Sequence, residues 1–233
     1  MSELHRWDLR PSEAKALQQE LAERVKLEPL PDNFSILGAA DIAYVSATNQ
    51  LVAAIVTFQW PDLALIESSH IVAPITFPYV PGLLSFREIP PLLEAHCKLR
   101  RPPEVLLCDG QGIAHPRKIG LASHLGLCLN IPTVGCAKKL LCGEHDYLEL
   151  RRGCATPLRL CDETVGWVFC SRDGVKPIYI SPGHLSDLES SKELVNRCLR
   201  RFRIPEPLRQ AHNLATQLRK ALSVSANTRE PDH

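Results

Sequence analysis

The 233-residue sequence has no uninterrupted apolar run approaching about 18 residues, the length a membrane-spanning helix requires. Its first residues, MSELHRWDLRPSE, lack the apolar centre of a secretory leader. These two absences set the expectation of a cytoplasmic chain with no membrane partner. Neither GxGxxG nor GxxxxGKS/T occurs, so dinucleotide-cofactor and ATP chemistry would lack their phosphate-cradling loops. Nine cysteines are present without a CxxC pair, and an odd number does not close into a fully paired disulfide framework. Several lie among Val, Leu and Phe, where a thiol behaves as a small hydrophobe, so reduced structural cysteines are expected. Net charge is nearly absent as well, at +1, but it is unevenly spread. Residues 1–110 carry nine Lys/Arg against fourteen Asp/Glu, and residues 111–233 carry eighteen against twelve. Such a split suits metal-binding acids and phosphate-binding bases on different surfaces.

Hydrophobic residues make up 45% of the chain, enough for a sizeable core. A single α/β domain over 1–222 with a flexible tail over 223–233 is expected. Leu17, Leu21 and Val25 form one stripe and predict a helix over 13–27. The β-rich runs SILGAADIAYV, LVAAIVTFQ and ALIESSHIVAPI predict three adjoining strands. A proline-rich stretch then predicts a stiff loop, with a helix from Pro91 to Leu99. EVLLCDG reads as a buried strand that ends in a polar turn. A helix over 118–127 follows, with further strands at 133–134, 157–160, 165–170 and 177–180. The spacing Ser186, Asp187, Leu188, Glu189 predicts a capping box, and a last helix is expected from Pro207 toward Lys220. Strands first, then strands alternating with helices, favour one mixed sheet flanked by helices.

Asp41 and Asp109 interrupt otherwise apolar strand runs, and Glu88 follows the proline-rich loop. A buried carboxylate is costly unless it is hydrogen-bonded or metal-bound. A hard divalent cation could collect such oxygens, orient a phosphate and activate water. Read locally, Asp41 and Asp109 could instead cap turns or helices, and Glu88 could sit in a surface ion pair. His212 could be a hydrogen-bonded helix residue, a metal ligand or a proton carrier.

The ordered set AADIAY, PYVPGLLSFRE, CDGQGIAHPR, TVGCAKKLL, ISPGH and FRIPEPLRQAH resembles the endonuclease V family over roughly Gly38–Ala215. The resemblance implies a ribonuclease-H-like core and Mg²⁺-dependent phosphodiester hydrolysis, with Mn²⁺ as a substitute. It implies that Asp41, Glu88 and Asp109 hold the metal, with Lys138 and His212 completing the catalytic set. Lys138 would stabilise negative charge on the phosphate, with Lys139 as its solvent-facing neighbour or a sharer of that contact. Pro78, Tyr79, Val80 and Pro81 resemble a strand-separating wedge; a local alternative is an aromatic plug over the sheet. Gly82, Leu84, Gly110 and Gly120 match lesion-pocket positions, although each could equally be a turn or core residue. His115, in His115-Pro116-Arg117, resembles a phosphate-side element, and His184 could hold a phosphate or a structural hydrogen bond. The implied reaction nicks the second phosphodiester 3′ to a deaminated base, hypoxanthine first, and leaves 3′-hydroxyl and 5′-phosphate ends. Deoxyinosine-containing DNA is the expected partner of a monomeric enzyme, because CDGQGIAHPR is similar to bacterial DNA-repair members. Inosine-containing RNA is the alternative substrate. A structure-selective nuclease is a third reading. A non-catalytic nucleic-acid-binding protein using Arg200, Arg201, Phe202 and Arg203 is a fourth.

Overall fold

A computed structural model describes residues 4–227. Helix α1 spans Pro11–Ala22 and is followed by strands β1 (Ile36–Val45), β2 (Gln50–Gln59) and β3 (Ala64–Pro74). Helix α2 (Leu84–Cys97), β4 (Val105–Cys108), α3 (Leu121–Leu129) and β5 (Thr133–Ala137) come next. The chain continues through β6 (Ala155–Leu160), β7 (Glu163–Phe169), β8 (Ile178–Pro182), α4 (Leu188–Arg197) and α5 (Glu206–Asn227). All eight strands join one mixed sheet in the order β3-β2-β1-β4-β5-β8-β7-β6. β4 runs parallel to β1 and β5, and the other pairings are antiparallel.

Side chains alternate across a strand, so each central strand feeds two cores. Leu37 and Ala39 of β1 and Val105 and Leu107 of β4 face a core shared with Leu194, Val195, Leu208 and Ala211 of α4 and α5. Ala40, Leu106 and Cys108 face the opposite core, with Ile89, Leu92 and Ala95 of α2 and Leu121, Ala122 and Leu125 of α3. The sheet is therefore covered on both sides. Strand β2, one in from the edge, is buried along nearly its whole length, whereas the edge strand β3 is buried at Ser69 alone. Among the described residues no helix is long and apolar enough to cross a membrane.

The three adjoining strands form as expected, but several helix limits differ. Helix α1 starts where Pro11 occupies the first position and the Glu13 carboxylate accepts the Arg10 backbone N–H at 2.8 Å. It stops at Ala22, and its buried stripe is Ala14, Gln18 and Leu21, so a polar residue replaces the expected Val25. Helix α2 begins at Leu84, well before Pro91, and carries Pro90 and Pro91 inside it. Burial of Phe86, Ile89, Leu92 and Ala95 on one stripe outweighs the missing proline donors there. Helix α3 starts after Gly120, because Lys118 adopts a positive φ of 52° and cannot belong to it. Asp187 caps α4 by accepting the Ser190 N–H at 2.8 Å, while Ser186 donates to the Thr133 carbonyl. Leu199 and Phe202 fall beyond α4. Helix α5 passes Lys220 and reaches Asn227, so the expected tail begins inside it; residues 228–233 lie outside the described residues. All nine cysteines are unpaired, and Cys108, Cys136, Cys170 and Cys198 are buried.

Candidate active site

Asp41 belongs to the same sheet face as Leu37 and Ala39, which points its carboxylate toward α5. Parallel pairing sets Ala40 beside Cys108, so Asp109 emerges from β4 next to Asp41. The Asp109 N–H donates to the Ala40 carbonyl at 3.1 Å. From α5, His212 Nδ1–H donates to Asp41 Oδ2 at 2.7 Å. Ligand atoms of Asp41, Asp109 and His212 all lie within 4.8 Å of one another. Lys138, one residue beyond β5, donates through Nζ to Asp109 Oδ2. Its neighbour in the fold, Arg203, donates to the Lys138 carbonyl at 2.8 Å and to the Pro177 carbonyl at 2.6 Å. Arg203 therefore anchors the lysine's backbone instead of contributing to a solvated basic cluster.

Glu88 arrives from α2, on the other side of the sheet. It is buried, and the hydroxyl of Tyr44, from the matching face of β1, donates to its Oε1 at 2.7 Å. Arg87 lies over the Tyr44 ring, 4.9 Å from its centre. Glu88 is outside the 4.8 Å ligand group, and a surface ion pair is excluded by its burial.

Burial drives the carboxyl chemistry. It raises Asp41 to about 8, helped by the adjacent Asp109 charge. Burial also raises Glu88 to about 7, against the opposing pull of the Tyr44 hydrogen bond. His212 is held below its usual value by burial and then by the positive Lys138. For Lys138 burial works against the ammonium, yet Asp109 and Asp41 together leave its pKa raised. Without a cation the centre thus resists holding its carboxylates ionised together, and positive charge placed among them would favour the ionised forms. Two carboxylates and an imidazole form a donor set suited to a hard divalent cation such as Mg²⁺ or Mn²⁺. Asp41, Asp109 and His212 would hold that ion. A second group, His5, His124 and Cys128, also has convergent ligand atoms; there His5 and His124 already share a 2.7 Å hydrogen bond.

Asp109 and Lys138 also line a cavity of about 480 Å³. Of the expected pocket residues, Tyr79, Val80, Pro81, Gly82, Leu84, Gly110, His115 and Gly120 line it as well; Pro78 does not. Tyr79 is 73% exposed at its rim, whereas Phe77, two residues earlier, is buried and stacks on Phe86 at 5.6 Å. Gly120 is required by backbone approach: a Cβ there would sit 2.4 Å from the Gln111 carbonyl oxygen. His115 is buried with both ring nitrogens engaged. Nδ1 accepts the Arg117 backbone N–H at 3.2 Å, and Nε2–H donates to the Gly82 carbonyl at 3.1 Å. Burial lowers its pKa to about 4, so the ring is neutral. His184 has a structural bond, accepting the Lys26 N–H through Nδ1 at 3.3 Å.

Two residues of this region escape sequence reasoning, Gln18 and Tyr44, while Arg203 is singled out there for a different role. Tyr44 carried a signal, since it lies three residues after Asp41 and hence on the opposite strand face. Gln18 carried a weaker one, a polar residue on the buried stripe of α1.

Residues 19–213 match the family described as Endonuclease V. An Endonuclease V from Dehalococcoides mccartyi is 44% identical over 218 residues, covering 94% of this chain and 98% of that relative. The crystal structure of the Endonuclease V from Streptomyces avermitilis superposes with a TM-score of 0.88 at 38% identity. That match covers 93% of this chain and 96% of the other. An Endonuclease V from Ciona intestinalis was solved in complex with a 24mer DNA containing an inosine followed by a ribo-adenosine. It superposes with a TM-score of 0.79 at 25% identity, covering 91% of this chain and 98% of that one. With the family match spanning both acids of the β1–β4 centre, Lys138 and His212, the chain belongs to the Endonuclease V family.

Proposed function

We propose that the protein is a divalent-metal-dependent endonuclease that nicks the second phosphodiester 3′ to a deaminated base. Deoxyinosine in DNA is the preferred substrate, and the products carry 3′-hydroxyl and 5′-phosphate ends. The observation that carries this reading is the sharing of Asp109 and Lys138 between the carboxylate centre and the cavity. A base held in the cavity and a phosphate at the acids can then belong to one strand.

A bound Mg²⁺ supplies positive charge that polarises the phosphate and lowers the cost of deprotonating water. The chain's own groups complete the task. Lys138, kept cationic by Asp109, offers its ammonium to the negative charge that grows on phosphate oxygens. His212 uses Nδ1 on Asp41, which orients the ring and leaves Nε2 as the nitrogen available to water or phosphate. Glu88, held by the Tyr44 hydroxyl, would bring a third carboxylate to the metal-binding acids, its ionisation opposed by burial and by the Asp109 charge. Tyr79 offers an exposed ring to stack where a base has left the helix.

The ribo-adenosine after inosine in the Ciona complex supports inosine-containing RNA as the second reading. Single-turnover rates on matched oligonucleotides, with deoxyinosine or inosine, identical salt and Mg²⁺, decide between them. Faster cleavage of the deoxyinosine strand is expected. A strong RNA preference in both single- and double-stranded form would reverse the substrate and keep the nuclease.

A further inference from the structure

Helix α1 contributes nothing to the carboxylate centre, yet it sends one fully buried amide to the cavity. Gln18 is 1% exposed. Its Nε2 donates to the Gly82 carbonyl at 3.0 Å and approaches the Ile119 carbonyl at 3.5 Å. Its Oε1 accepts from Arg117 Nε at 2.5 Å. Arg117 also donates through Nη2 to the Gly82 carbonyl at 2.7 Å, and His115 Nε2–H adds a third donor there. Reversing the Gln18 amide would set donor against donor and acceptor against acceptor, so the network fixes its orientation.

One carbonyl oxygen has two lone pairs, and here it receives three donors from two separate segments. Gly82 is also where the turn after Tyr79 takes a positive φ of 77°, and an added Cβ would lie 2.7 Å from Arg117 Nη2. The guanidinium occupies the room a side chain would fill. Meanwhile Tyr79 is largely exposed, so the turn is held from beneath and not by its own ring. Gly82 and Ile119 both line the cavity, and a single amide reaches the backbone of each.

We infer that Gln18 and Arg117 are positioning residues for base selection: together they set the separation and rigidity of two cavity walls. The inference rests on the proposed reading that this cavity takes the altered base. A cavity whose walls spread accepts unaltered bases more readily and discriminates less, because specificity is a difference of affinities. Neither residue touches the phosphate chemistry.

The test uses the full chain with Mg²⁺ and matched duplexes, one with a single deoxyinosine and one undamaged. Gln18→Leu and Arg117→Met are expected to lower the ratio of cleavage efficiencies on the two duplexes at least tenfold. The loss on the inosine duplex should fall more on the half-saturating concentration than on the rate at saturation. Hydrogen exchange at the Leu83 amide, which donates to Val80 across the turn, should accelerate. Gln18→Glu keeps the acceptor for Arg117 but loses the donor to Gly82, so its ratio should fall between wild type and Gln18→Leu. Should Gln18→Leu fail to fold, Gln18→Glu and Arg117→Lys carry the same comparison. An unchanged ratio with slower activity on both duplexes would mean a merely structural role and overturn the inference. Tyr79→Ala is measured in parallel. If it lowers the ratio while the Gln18 and Arg117 variants do not, this inference alone fails; if none of them changes the ratio, the base-selecting reading of the cavity fails too.

Discussion

Asp109 stands where the carboxylate centre, Lys138 and the cavity meet, which makes it the residue whose removal should be least tolerated. Asp109→Ala is expected to abolish metal-supported cleavage, with folding and much of the strand affinity retained. Single-turnover nicking, circular dichroism and binding on the same preparation check this, and near-normal cleavage by the folded variant would remove Asp109 from the mechanism. Asp41 makes a separate prediction about acid–base linkage in metal-free protein. Its folded pKa, raised to about 8, exceeds the unfolded value, so the native state holds a proton that the unfolded chain releases. The associated stabilisation is complete below the unfolded pKa and is lost as pH rises through about 8. Glu88, raised to about 7, has the same sign. With a chelator present, stability should therefore fall as pH rises from about 4 to about 8 and level off above that. Asp41→Asn should flatten that decline, because it cannot acquire the buried charge. Denaturant titrations at about pH 5, 6.5 and 8 give the slope; an equal decline in the variant would refute the assignment.

The turn over 78–82 and helix α2 act as one unit, since the turn leads directly into the helix that carries Glu88. Tyr79→Ala removes an exposed ring, so stability should change by no more than about 0.5 kcal/mol. Stacking is worth about 1–3 kcal/mol per base, so the preference for an inosine duplex over an undamaged one should fall by roughly five- to a hundredfold. Tyr79→Phe should keep most of that preference. Fluorescence binding with a cleavage-silent background measures both variants, and an unchanged preference for Tyr79→Ala would end the wedge assignment. Helix α2 also shows where sequence reasoning falls short. Two prolines argue against a helix locally, but Phe86, Ile89, Leu92 and Ala95 are buried together only once the sheet is present. The position of Glu88 was therefore hidden by a tertiary effect. The strands were easier to read, because SILGAADIAYV and EVLLCDG each carry a charge at one break in an apolar run. Gln18 stayed hidden for the opposite reason: its partners, Gly82 and Arg117, are 64 and 99 residues away.

At the scale of the whole molecule, one sheet separates two layers, and the chemistry sits where both layers reach the end of β4. α5 supplies His212 from one side, α2 supplies Glu88 from the other, and Asp41 and Asp109 stand between them. That division has a consequence for how the gene can change. Side chains on β1 alternate, so adding or deleting one codon between Leu37 and Asp41 would turn the carboxylate away from His212 and toward the layer of Tyr44 and Glu88. Apolar replacements at Leu37 or Ala39 preserve the phase and can be repaired by repacking. A single-codon length change cannot, because β1 is paired along both edges and has no loop within it to absorb the slip. Length variation is thus confined to the connections, and the ten residues of β1 behave as a ruler whose graduations are read by two layers at once.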